Sequence, residues 1–343
     1  MVCTQEVASW PFVADLPNSF SQLSSTRVII PSNHRWPTFL KTDNLLNIAD
    51  QIVVIAVLAI GMTLVVISGG IDLAVGSLIA LSAVVCTLLI HGVFGSENAS
   101  GVGMVAACAI GIAVCACLGL FSGIMVAFCS IPPFIVTLGV MMVGSGIAYI
   151  LAQGQSIYQV PDSFVWLGRG TLPGGLPNSV LLMIVLYCLA HILMSRTALG
   201  RYIYAVGGNK EAARLSGVPV NGVILFVYAL CGAMAGLGGV ITASQLKSGA
   251  PTYGSMYEMY VIAAAVVGGA SLSGGQGKIF GTLIGAFIIA VIQNGMNLMG
   301  VESYTQKVVL GLVILGAVLL DRLKQGTLSF RKKRFAKKQG LSL

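Results

Sequence analysis

Long apolar runs, cut by short polar breaks, recur from about residue 49 to residue 320. A bilayer core of about 30 Å needs about 20 apolar residues per helix. On that measure the spans fall at about 49–67, 71–94, 102–129, 134–152, 179–195, 221–243, 256–271, 279–299 and 304–320. The breaks carry turn chemistry: Ser68-Gly69-Gly70, Gly95-Ser96-Glu97-Asn98, Pro132-Pro133, the Pro/Gly-rich stretch 153–178, and Ser271-Leu272-Ser273-Gly274-Gly275. The pattern predicts an all-α fold, a polytopic membrane bundle of about nine transmembrane helices. Residues 1–40 are expected to lack a transmembrane helix, 41–323 to form the membrane domain around a polar loop at 196–220, and 324–343 to be a basic tail.

Composition agrees with the pattern. Of 343 residues, 56% are apolar and 9% charged, against about 25% charged in soluble domains. The 43 glycines fit helices that approach closely in lipid. Small residues four apart mark expected packing stripes: Gly277, Gly281 and Gly285; Gly119 and Gly123; Gly232 and Gly236.

The net charge of +8 would fit a nucleic-acid partner only if it were spread along a face, and it is not. No Lys or Arg lies between Lys41 and Arg169; the basic residues gather at Arg196, Arg201, Lys210 and Arg214, and from Arg322 to Lys338. Nucleic-acid binding is therefore excluded. Loops rich in Lys and Arg stay in the cytoplasm, which places 196–220 and the C-terminus inside. Arg331-Lys332-Lys333-Arg334 is suited to anionic lipid headgroups. Counting crossings from that loop puts 245–255 and 300–303 outside and 271–278 inside. Counting backwards puts 153–178 and 92–101 outside, 68–70 inside, and the N-terminus outside, despite Arg27, Arg35 and Lys41.

Little in the chain points to catalysis. Leu272-Ser273-Gly274-Gly275-Gln276 spells a signature of ATP-binding-cassette ATPases. A phosphate loop, G-x-x-x-x-G-K-[ST], is lacking: Leu272 stands at its first glycine and Ile279 at its Ser/Thr. The string reads as a turn between two membrane helices. Seven of eight cysteines lie in apolar segments, and Cys115-x-Cys117 has no second ligand pair, so no metal or other cofactor is expected.

Intramembrane acids are rare and commonly functional. Asp72 follows a Gly-Gly break and opens a helix, where capping competes with a gate or pathway role. Glu258 is expected where a helix begins on the external side, with the same two readings. Gln293, Asn294 and Asn297 put three amides in one helix, to bond either a sugar or a neighbouring helix. His91 and His191 lie near span ends and carry no expected role.

Several stretches resemble one family. They are Asn44-Leu45-Leu46-Asn47-Ile48, Gly61 to Val65 through Gly76-Ser77, Pro133-Phe134-Ile135-Val136-Thr137-Leu138, Gly200 to Gly217, and Ala263 to Leu272 through Asn294 to Leu298. Together they are similar to the membrane permease subunits of bacterial ABC importers for monosaccharides, the ribose-type permeases in particular. The resemblance implies two permease subunits around the pathway, two cytoplasmic ATPase subunits, and a periplasmic sugar-binding protein, in the bacterial inner membrane. It implies that 206–218 forms a coupling helix seated in the ATPase, with Asn209, Lys210, Glu211, Ala212, Ala213, Arg214 and Gly217 as its contacts. Gly217-Val218-Pro219 supplies the stop. Asp72, Thr137, Glu258, Gln293, Asn294 and Asn297 are the candidates for the pathway or its gate.

The chain departs from the family in two places. Relatives carry a further N-terminal helix that 1–40 does not supply, and Tyr260 stands where an acid is expected. The expected substrate is a pentose or hexose, with a sugar-like signalling molecule as the nearer alternative. An ion-coupled transporter working alone would need more mid-bilayer ionisable residues than Asp72 and Glu258.

Overall fold

Each break foreseen in the sequence ends or starts a helix for an identifiable local reason. The computed structural model describes residues 10–20, 38–316 and 319. The basic tail at 324–343 and most of the N-terminal segment lie outside the described residues. The chain divides into two compact units, 1–41 and 42–343. In the first, α1 (Pro11–Ser19) has nine residues, well short of the roughly 20 needed to cross a bilayer.

The second unit carries the remaining described α-helices. They are α2 (Thr42–Ile67), α3 (Val75–Gly92), α4 (Gly101–Ala127), α5 (Pro133–Leu151), the single turn α6 (Trp166–Arg169), α7 (Asn178–Arg196), α8 (Ala198–Gly208), α9 (Lys210–Leu215), α10 (Val220–Leu246), α11 (Tyr257–Val267), α12 (Ile279–Leu298) and α13 (Ser303–Gly316). Seven of them, α2, α3, α4, α5, α7, α10 and α12, are long and apolar enough to cross a membrane; α11 and α13 are shorter apolar helices. Among the described residues no strand forms, only two isolated bridges.

Capping explains many of the boundaries. Ser100 accepts the Gly103 N–H to start α4, Thr197 does the same for Gly200 at α8, and Pro133 opens α5 with its φ already set. Helices α2 and α3 form the buried centre, with Val53, Leu58, Leu64, Val75 and Leu78 wholly enclosed.

Two of the glycine stripes interlock. A Cβ on Gly119 would fall 2.3 Å from the Tyr228 carbonyl, and one on Gly232 2.3 Å from that of Cys115, so α4 and α10 touch backbone to backbone. In the third stripe, Gly281 and Gly285 meet the Gly268 and Ala264 carbonyls of the α11 end. Gly277 lies before that helix, in the turn at 271–278.

The helix expected over 256–271 starts where expected but ends early, at Val267, where Gly268 and Gly269 (φ +90°) break it. Helix α11 has eleven residues, about 16 Å. The residues before it run down the side of α3 in irregular form: Gly249 packs on Ala83 and Thr87, and Gly254 on Gly76 and Ile79. Glycines at these points let backbone meet backbone, and Pro251 cannot join a helical ladder. An irregular segment thus leads into a short apolar helix. Non-helical backbone at this depth is tolerated where protein covers it.

The loops sort into two ends. At one, Ile157 and Gly249 exchange backbone hydrogen bonds of 2.8 and 2.9 Å, and Gly168 N donates to Ser244 Oγ at 2.8 Å. There Lys247 pairs with Asp162, holding that carboxyl below its usual range. At the other, the 68–70 break, α8 and the 271–278 turn are in contact. These groupings are those of the crossing count, except that 249–255, expected in the loop with 245–248, runs along α3.

Candidate functional site

Two places concentrate polar groups, one on the surface and one within the bilayer. The surface site is built on α8, whose inner face buries Gly200, Ile203 and Val206. A Cβ on Gly207 would fall 1.7 Å from the Ile67 carbonyl and 2.7 Å from Gly275 N. Gly275 N also donates to that carbonyl at 2.8 Å, and Tyr204 Oη donates to the Gly277 carbonyl at 2.7 Å. The SGG turn, read in sequence only as a connector, is thus the seat of α8.

From this seat the chain turns outward. Asn209 breaks the helix and caps the next, its Oδ1 accepting Ala212 N–H at 3.0 Å. The coupling helix expected over 206–218 is therefore two pieces, α8 and the six-residue α9. Gly217, at φ +79°, ends α9 in the left-handed region where glycine is favoured, and Pro219 follows. Lys210, Glu211, Ala212 and Arg214 are exposed and Ala213 is buried. Leu215 projects with 89% of its surface bare.

The intramembrane site surrounds the start of α3. Residues 68–74 are irregular, and α3 begins only at Val75. Asp72 is 1% exposed. Its Oδ1 accepts the Ala74 N–H at 2.9 Å, one turn ahead of the helix, so the expected cap is displaced from the helix proper. The Cys231 thiol faces the same carboxylate, a weak donor, and Oδ2 has no full hydrogen-bond partner. Thr137, also buried, donates to the Ile71 carbonyl at 3.3 Å, with Tyr228 Oη on the same oxygen at 3.5 Å.

Glu258 lies across the helix from them. A Cβ on Gly76 would fall 2.2 Å from its Oε2. Gly76 is sixteen residues from the C-terminal end of α3, about 24 Å along the helix. Glu258 does begin a helix, as expected, and is half-buried beside the first turn of α3. The irregular 249–256 stretch carries it there. Asp72, Thr137 and Glu258 are thereby gathered around one helix start.

Residues 44–318 match the family described as the permease component of the branched-chain amino acid transport system. The chain belongs to this permease family. It is 44% identical over 293 residues to the ribose import permease protein RbsC of Escherichia coli (strain K12), covering 84% of this chain and 88% of the relative. It is 41% identical to the protein of that name in Bacillus subtilis (strain 168), over 84% and 87%. Identity to the D-allose transport system permease protein AlsC of Escherichia coli (strain K12) is 37%, over 83% and 85%. No solved structure matches.

In this permease the three amides stand apart from the acids. Asn294 and Asn44 exchange hydrogen bonds of 3.0 and 3.1 Å between α12 and α2. Asn297 accepts from Gln306 at 2.8 Å, and Gln293 is half-buried with no side-chain bond to either acid. Sequence reading missed Tyr204, Tyr228 and the Gly207–Gly275 contact. The two Gly-Gly pairs, 207–208 and 274–275, were the visible sign of a close approach.

Proposed function

We propose that the chain is the transmembrane subunit of an ATP-driven importer that passes a monosaccharide inward across the bacterial inner membrane. The sugar permeases named above support the substrate class: ribose for two, D-allose for a third. The chain itself hydrolyses nothing. Separate cytoplasmic ATPase subunits drive it, a second permease subunit completes the pathway, and a periplasmic binding protein delivers the sugar. The C-terminus and α8–α9 face the cytoplasm.

The projecting α9 carries this reading. A six-residue helix capped at both ends, with Leu215 bare and Glu211 unbonded, has the form of a knob made to enter another protein. Behind it, α8 rests on the end of α2 and on the 271–278 turn through close backbone contacts. Movement of the ATPase pair would reach α2 and the 68–74 break through that seat. There Asp72 and Thr137 hold the unwound segment whose shift opens or closes the path. No contiguous relay of ionisable groups is needed, because energy enters as mechanical displacement.

The test is uptake of radiolabelled sugar by vesicles holding the complete transporter. Glu211→Lys reverses a charge at an exposed site and leaves the internal contacts intact. It should abolish uptake while the protein stays in the membrane at normal level. Gly217→Val, forced into a left-handed conformation costing about 1–2 kcal/mol, should do the same. Normal uptake by either variant would remove α9 from the coupling role.

A further inference from the structure

Beside Glu258 the structure encloses a cleft of about 580 Å³, between α3, α5 and the 251–258 stretch. That volume is within the usual range of small-molecule sites, roughly 300–1,000 Å³. Its walls carry unspent polar chemistry. Ser145, Tyr149, Thr252, Ser255 and Glu258 all line it, and none of these five side chains makes a hydrogen bond to another side chain or to a distant backbone group. The aromatic face of Tyr149, 45% exposed, stands beside the hydroxyls. Gly76 keeps the floor open, since any side chain there would displace the Glu258 carboxylate.

We propose that this cleft is a transit site for the sugar, resting on the importer reading above. Glu258 accepts two ring hydroxyls, Ser255 bonds another, and Tyr149 packs against the ring's C–H face. A carboxylate is acceptor-only and presents two oxygens, which suits adjacent hydroxyls of a neutral polyol. It disfavours anionic substrates. Such a site gives the permease selection of its own, in addition to whatever delivers the sugar.

The experiment uses the assembled permease–ATPase complex in lipid nanodiscs, with Ser145→Cys as reporter. A charged methanethiosulfonate reagent labels position 145, and mass spectrometry reads the rate at that residue. D-ribose, D-allose or D-galactose is added at high concentration, with betaine as the osmotic control. Protection scales as one plus the ratio of ligand to its dissociation constant, so at least one sugar should slow labelling about threefold or more. Glu258→Gln in the same background should return the rate to the betaine value.

Equal rates with all three sugars and betaine would overturn the proposal, as would protection unchanged by Glu258→Gln. Thr252→Cys, at the exposed mouth, is the second reporter should Ser145→Cys fail to assemble. Normal uptake with an unprotected reporter sinks the transit site alone. Absence of sugar uptake by the unaltered transporter sinks the importer reading itself.

Discussion

Single residues in this protein act mostly by being small. Gly119 and Gly232 face each other with Cα against an imagined Cβ at 3.1 Å, leaving no room for a methyl group. Gly119→Val should therefore destabilise the purified protein by about 1–3 kcal/mol, the usual cost of overpacking. Gly139→Val, where nothing lies within 4 Å, should be tolerated. Thermal unfolding in detergent compares the two, and equal melting points would deny the α4–α10 contact. Spacing alone revealed that stripe, because four residues return a helix to the same face. Asp72 and Glu258 were legible for a different reason, as charges in hydrocarbon. Their grouping was not, because it depends on which neighbour an irregular segment follows.

At the scale of elements, apolar length located every long helix, and cap residues set many ends. It overextended one. The 256–271 run is apolar enough to suggest a full span, but Gly268 and Gly269, the latter at φ +90°, end the helix at Val267. Hydropathy counts residues and is blind to such a break. The coupling segment shows the converse: Asn209 was visible as a helix-capping residue type, while its place inside the expected helix was overlooked. Transmission from α8 to the bundle has one side-chain bond that can be removed cleanly, Tyr204 Oη to the Gly277 carbonyl. Tyr204→Phe should cost about 1 kcal/mol at that seat. Sugar imported per ATP hydrolysed should fall, with hydrolysis itself retained. An unchanged ratio would place the transmission elsewhere.

For the whole molecule, charge and crossing number divided the loops into two ends, and the contacts keep 153–178 apart from 68–70, α8 and 271–278. One end is braced by the 157–249 exchange and the Asp162–Lys247 pair, the other by the glycine seat under α8. Between them the two broken segments, 68–74 and 249–256, bring Asp72, Thr137 and Glu258 around the start of α3. Rigid helices thus surround one irregular zone, and the seat of α8 on Ile67 leads toward it. That arrangement fits a path opened by force applied at α9. The most direct measurement places a photo-crosslinking amino acid at Leu215 in cells making the complete transporter. The account predicts an adduct joining this chain to the cytoplasmic ATPase subunit; an adduct with an external protein, or none with the ATPase, would contradict it.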